Sequence, residues 1–264
     1  MMSTQRIALT PPREKLRNLL IITSAVGLLL ISLVMVDLPV AAFIARLERL
    51  PDILRLFMRL DFTIVSDATG QLIVSIAMAL AALLLGGVIS LFLAFLAAAN
   101  TAPSKTIAAV IKGFVSMVRA IPSLVLILLI IASIGLGYVA AVASLTLSSI
   151  GYFTKAFAST IEEQDSALIE TMRATGANWF QIVVHGFFPN VLPSFLAWIS
   201  IRLEMSVAES ISLGVIGAGG IGTMLARSIR MHQHAEVSML ILIIFAAMLA
   251  IEITLNIFKK RANA

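Results

Sequence analysis

Residues 165–193 read DSALIETMRATGANWFQIVVHGFFPNVLP. The chain on either side is dominated by long apolar runs. This stretch carries Asp165, Glu170, Arg173, Asn178, Gln181 and His185 and is too polar to sit in lipid. Its pattern is still helical. Over 166–174, Leu168, Ile169 and Met172 form one face, and Glu170 and Arg173 face solvent. Gly176 can take the positive φ that ends a helix. Asn178 can cap a second helix carrying Phe180, Ile182, Val183 and Phe187. Pro189 and Pro193 bound the start of the next apolar run. The stretch reads as an amphipathic helical hairpin outside the bilayer, with an ordinary surface connector as the alternative.

The composition fixes the class. Of 264 residues, 60% are hydrophobic and 12% charged, and the mean hydropathy is +1.04. Soluble domains carry about 25% charged residues. The chain is therefore predicted to be an all-α polytopic membrane protein, with about six transmembrane helices plus amphipathic helices outside the bilayer. The predicted spans are 19–36, 70–99, 124–134, 138–157, 191–213 and 237–258. The first is longer than the apolar run of a cleaved signal peptide, about 7–15 residues, and reads as retained. In segment 40–61, Phe43, Ile44, Leu47 and Leu50, then Leu54, Phe57 and Leu60, recur at helical spacing among Arg46, Glu48 and Arg49. That predicts either an amphipathic surface helix or short helices in a solvated loop. Gly86–Gly87 marks a close helix crossing or a local irregularity. Pro122 predicts a break at Ile121, and Gly135–Leu136–Gly137 a very short turn. The organisation expected is a tail over 1–18, a first span with an amphipathic segment over 19–69, and a transmembrane domain over 70–264.

Basic residues orient the spans. With both termini inside, twelve Lys and Arg lie on the inner side and six on the outer side. Residues 158–190 are then cytoplasmic. The net charge of +5 sits at loop ends, so it reports orientation rather than nucleic-acid binding.

Several chemistries are disfavoured. GAGGIG at 217–222 matches the dinucleotide-binding pattern GxGxxG, but it lies between two spans with no βαβ unit to use it. Gly217, Gly219 and Gly220 instead predict a flexible or tightly packed re-entrant turn, with no side chains to obstruct a pathway. No glycine is followed by lysine, so there is no phosphate loop, and the chain is expected to be no enzyme and to bind no cofactor itself. It has no cysteine, and His185, His232 and His234 lack metal-ligand spacing. Arg202, Glu204 and Glu209 fall inside a span, where each charge costs about 2.5–3.5 kcal/mol. Arg202 and Glu209, seven apart, share a face; Glu204 points elsewhere. Two readings stay open: these charges line or gate a polar path, or they pair to fix the bundle.

The opening stretch resembles the coupling motif of ABC importer permeases: E-A-A, three residues, G, nine residues, I-x-L-P. Glu170, Gly176 and Pro189 keep that spacing, while Thr171 and Met172 replace the alanines and Gly186 and Phe188 replace Ile and Leu. MVRAIPSLVL (117–126) and LGVIGAGGIG (213–222) are similar to segments of phosphonate-importer permeases, with methionine-importer permeases next. The resemblance covers about residues 70–260. It implies a homodimeric permease in a bacterial inner membrane, in contact with membrane lipid. Its implied partners are two ATPase subunits that hold ATP and Mg, and a periplasmic or lipid-anchored binding protein. Nucleic acid is not among them. Glu170, Thr171, Arg173, Ala174, Thr175, Gly176 and Ala177 would dock on the ATPase. Arg119, Pro122, Arg202, Glu204, Glu209, Gly217, Gly219 and Gly220 would line or gate the path. The expected cargo is phosphonate or a related phosphorus oxyanion, with methionine or another small solute as the alternative. An ion-coupled secondary carrier is the competing class.

Overall fold

A computed structural model describes residues 12–36, 44–45, 47–48 and 50–262, and all regular structure among them is helical. The chain forms two units, Met1–Arg55 and Leu56–Ala264, each described by itself. Phe43, Arg46 and Arg49 of the predicted amphipathic segment lie outside the described residues.

In the first unit, α1 (Pro12–Val36) is apolar on every side from Leu19 onward and starts well before that residue. Proline suits the first helical turn, where its missing N–H is not needed. Helix α2 (Leu50–Phe57), within which the unit boundary falls, buries no side chain.

After the end of α2, the second unit continues with a single turn, Phe62–Ile64. Its cap, Asp61, accepts from the Thr63 amide at 2.9 Å and the Thr63 hydroxyl at 2.6 Å. The turn leads directly into α3 (Val65–Ala97), which begins five residues before the predicted Gly70. At 1.5 Å per residue this helix is about 50 Å long, well beyond a hydrocarbon core of about 30 Å. Ser104 caps α4 (Lys105–Ala120), accepting from Ile107 N at 3.2 Å. The helix stops at Ile121, held extended (φ −83°, ψ 122°) by Pro122 as expected.

Helix α5 (Ser123–Ile134) leaves α4 at 94°. This corrects the third span. Twelve helical residues reach only about 18 Å and do not cross alone, so α4 and α5 form one bent element. Gly135 and Gly137 then make the predicted tight turn into α6 (Tyr138–Glu162). The remaining elements are α7 (Ser166–Ala174), α8 (Trp179–Gln181), α9 (Phe188–Leu213), α10 (Ile221–Arg230) and α11 (His234–Ala262).

Among the described residues, four helical stretches are long and apolar enough to cross a membrane, five if the bent pair is counted as one broken span. Helix α6 has the length, at 25 residues, but is more polar because it lies inside the bundle. Its buried face carries Ser144, Ser149, Thr154 and Thr160. Gly86 of α3 lies so close to Ser149 that an added Cβ would sit 2.7 Å from the serine Cβ. This is the close crossing anticipated at Gly86–Gly87. One core, including Phe95, Phe153, Phe157, Phe187 and Phe195, joins α3, α6 and the start of α9. Phe157 stacks on both Phe153 and Phe195. A second, around Leu72, Val207, Ile211, Ile221 and Leu240, joins α3, α9, α10 and α11 at the other end.

Candidate functional site: the helical hairpin and the polar seam

The hairpin is closed by local chemistry. Asp165 caps α7 by accepting from Ala167 N at 2.9 Å. At the other end Gly176 has φ +80°. Its N–H donates to Arg173 O at 3.0 Å, and Ala177 N–H donates to Met172 O at 3.1 Å. These are the two bonds of a Schellman motif, and Met172 and Ala177 both pack on the adjacent core. Glu170, Thr171, Arg173, Ala174, Thr175 and Gly176 remain exposed, with Ala177 half-buried. Of the expected apolar face, Met172 packs inward; the Leu168 and Ile169 side chains lie outside the described residues.

A capping box opens the second arm. Asn178 Oδ1 accepts from Gln181 N at 2.9 Å, and Gln181 Oε1 accepts from Asn178 N at 2.8 Å. Ile182, Val183 and Phe187 enter the core as expected, but Phe180 is 66% exposed and does not. Trp179 is the anchor that the sequence reading missed. Its Nε1–H donates to Thr101 O at 2.6 Å and ties the hairpin to the turn between α3 and α4. An indole in the first turn of a capped amphipathic helix was the available signal.

The prolines do not separate the hairpin from the fifth span. Helix α8 widens into a π-helical segment over Ile182–Phe187 and runs on as α9, so the helix continues from Trp179 to Leu213. The wide turn accommodates Pro189, which has no N–H to donate. Asn190 Nδ2 donates to Gly186 O at 2.9 Å and satisfies a carbonyl in this turn.

Within α9, Arg202 is only 2% exposed. Its guanidinium makes a two-pronged pair with Glu209, at 3.1 Å to Oε1 and 2.8 Å to Oε2. It also donates to Ser149 Oγ at 3.2 Å and Ser148 Oγ at 3.1 Å, and lies 5.6 Å from the centre of the Tyr152 ring. Burial is tolerated because the charge and most of the donors are matched. The predicted shared face of Arg202 and Glu209 is thus a direct ion pair. Glu204 is half-buried and forms no ion pair among the described residues. Arg119, at the end of α4, packs its stem against α6 at Gly151, one residue before Tyr152. Both arginines therefore reach the same turn of α6. Pro122 lies at the α4–α5 bend rather than beside them.

The glycine-rich segment is a packed elbow. Gly217, at φ +105°, breaks the helical stretch. An added Cβ at Gly219 would meet the Tyr138 ring, at Gly220 the Ser75 hydroxyl, and at Gly222 the Ile211 carbonyl. Thr223 Oγ1 donates to Gly214 O at 2.7 Å and accepts from Gly219 N at 3.0 Å, while Ile221 N donates to Ser75 Oγ at 3.1 Å. Of the two turns left open by the sequence, the tightly packed one is found. Gly214 and Gly222, needed for backbone contact, were not anticipated. Gly219 and Gly220 also border a cavity of about 530 Å3 with Asp67, Gln71 and Arg227.

At the hairpin end, Glu162 joins three elements. Its Oε1 accepts from Lys112 Nζ at 2.6 Å and from Ala99 N at 2.8 Å. Burial pushes its carboxyl up, but Lys112, the Ala99 amide and the nearby Lys155 charge outweigh this and hold it below the usual range.

Residues 90–263 match the family described as "Binding-protein-dependent transport system inner membrane component". The chain belongs to that family. This permease is therefore a multi-pass membrane component of binding-protein-dependent, ABC-type import. It is 34% identical over 200 residues to a phosphite transport system permease protein (PtxC) of Stutzerimonas stutzeri, covering 76% of this chain and 73% of that one. It is 36% identical over 156 residues to a phosphate-import permease protein (PhnE) of Mycolicibacterium smegmatis, covering 59% of this permease but only 29% of that protein. A methionine import system permease protein (MetP) of Bacillus subtilis is 25% identical over 169 residues, 60% of this chain and 76% of that one. The fold is shared with an inward-facing structure of the MetNI methionine ABC transporter. The TM-score is 0.67 at 20% identity, over 77% of this permease and 99% of that chain.

Proposed function

We propose that this permease forms the path by which an ATP-driven importer carries a small phosphorus oxyanion such as phosphite, phosphate or a phosphonate. The observation that carries the mechanism is the helix that runs on from Trp179 through Arg202 to Leu213. A displacement of the hairpin is delivered to Arg202 through helix, by way of the wide turn at Ile182–Phe187 and past Pro193. The charge count favours placing the hairpin in the cytoplasm with both termini. There Glu170, Thr171, Arg173, Ala174, Thr175, Gly176 and Ala177 offer the docking surface for an ATPase subunit, which holds the ATP and Mg. Two ATPases, a second copy of the permease, surrounding lipid and an external binding protein complete the assembly. Nucleotide-driven closure of the ATPases shifts the hairpins, α9 tilts, and the path alternates between its two sides.

The cargo reading is supported by the higher identity to the phosphite and phosphate permeases than to the methionine permease. Methionine or another small solute is the alternative. Arg119 supplies a cation on the path for an oxyanion, while Arg202 is matched by Glu209 and shapes the seam. Glu204, Pro122 and the elbow at Gly217, Gly219 and Gly220 are assigned to the path or its gate. Co-purification tests the assembly. Glu170→Lys should abolish the stable complex with the ATPase and stop phosphite uptake while leaving insertion intact. Uptake that continues without an ATPase and follows a proton or sodium gradient would overturn the reading in favour of a secondary carrier.

A further inference from the structure

The uncovered faces of the long helices in the second unit are of two kinds. On α3 and α11 they are large and apolar, with Leu84, Val88 and Phe92 on the one and Leu242, Phe245 and Leu249 on the other. Such faces suit lipid. On α9 the exposed positions are Ala197, Ile201, Met205, Ala208 and Ser212. They fall within about 80° of arc, and Glu204 lies at the edge of the same arc. Small residues let helices approach closely, and hydrocarbon expels a carboxylate. This face of α9 therefore suits protein rather than lipid.

Glu204 has no counter-ion within its own chain. It follows Arg202 by two residues, about 200° around the helix, so it points away from the serines of α6 that Arg202 reaches. It forms no ion pair among the described residues. Arg119 is the complementary case. It is exposed at the end of α4 and also forms no ion pair among the described residues. The two charges lie at matching depth. Arg202 bonds Ser148 and Ser149, the Arg119 stem packs at Gly151 on the next part of the same helix, and Glu204 is only about 3 Å along α9 from Arg202.

Two copies inserted in the same direction are related by an axis along the membrane normal, which brings residues of equal depth together. In such a dimer each contact between different residues occurs twice. We infer that Glu204 of each copy pairs with Arg119 of the other, closing the α9 face against the end of α4. The inference rests on the reading of the permease as a homodimer. It gives both residues one task within the path. Arg119 is free to meet an oxyanion only when the copies part at this level, and Glu204 is the group it leaves.

The test expresses the full chain in membranes under two different affinity tags and measures recovery of one tag on the other. Glu204→Arg or Arg119→Glu, placed on both chains, should each lower recovery by about tenfold or more. With Glu204→Arg on one tagged chain and Arg119→Glu on the other, both contacts are matched again. Recovery should then return to within about threefold of wild type. A pair formed inside one chain would not be rescued in this way. Lys155→Gln, an exposed cation one turn nearer the hairpin, should change nothing. A second arm covers variants that fail to insert. The chain has no cysteine, so Glu204→Cys under one tag and Arg119→Cys under the other can be joined by a short thiol-reactive linker. A linked pair carrying both tags is expected. Wild-type chains recovered together, with no effect of the charge reversals and no linked pair, overturn the inference and leave the homodimer standing. Equal losses from Lys155→Gln and the reversals also overturn it, since net charge alone would then be responsible. Wild-type chains that are never recovered together remove the homodimer reading, and the inference with it.

Discussion

Replacing Glu209 by Gln removes one charge and almost no volume, and leaves the Arg202 guanidinium buried without its counter-ion. Breaking such a pair costs about 3–5 kcal/mol. The lower end applies here, because the Glu209 side chain is 24% exposed and two serines continue to accept from Arg202. A loss of about 3 kcal/mol lowers the melting temperature by roughly 6–12 °C in a chain of this size. Arg202→Met should be destabilising as well. The double variant Arg202→Met/Glu209→Leu should lose much less than the two single variants combined, since no buried charge is left unmatched. The assay is the fraction of folded protein on size exclusion after heating in detergent. A Glu209→Gln protein melting within about 2 °C of wild type would refute the assignment of the pair as a structural support. Uptake by a stable double variant then tells whether the seam also serves the path.

Two further outcomes follow from the geometry. Gly222→Ala forces a Cβ against the Ile211 carbonyl and within 3.0 Å of Gly214 Cα, both rigid backbone. It should lose about 1–3 kcal/mol or more in the melting assay. Gly113→Ala, with no neighbour within 4 Å, should match wild type or gain up to about 1 kcal/mol. The third outcome concerns pH. Because the Glu162 carboxyl is held below its ordinary 4.5, its contribution to stability is complete above that value and disappears as pH falls through the lower folded value. The melting difference between wild type and Glu162→Gln should therefore be full at neutral pH and close in acid; a difference that persists there contradicts the Lys112 clasp.

The hairpin was legible because its boundaries rest on local chemistry. Asp165, Gly176 and Asn178 each act on backbone within a few residues, and the helix over 166–174 is found as read. The break at Pro122 is local for the same reason. What the sequence could not supply depends on distant partners. Trp179 finds Thr101 across 78 positions, and nothing near the tryptophan specifies that carbonyl. The third span failed because apolarity does not fix direction: Ser123–Ile134 is hydrophobic enough for lipid but turns 94° away from α4. At the elbow, Gly217, Gly219 and Gly220 were read as a flexible or tightly packed turn. Gly222 is required instead by the Ile211 carbonyl, which only the folded backbone places against it.

The wide turn at Ile182–Phe187 has a consequence for angular phase. Each helical residue advances the side-chain direction by about 100°, so one residue gained or lost there rotates everything downstream by that amount. The present count points Arg202 at Ser148 and Ser149 while Ile182, Val183 and Phe187 face the core. Insertions and deletions in this turn are therefore not interchangeable with those in a loop: changing its length by one would keep the helix and its composition but aim the guanidinium into a different neighbour.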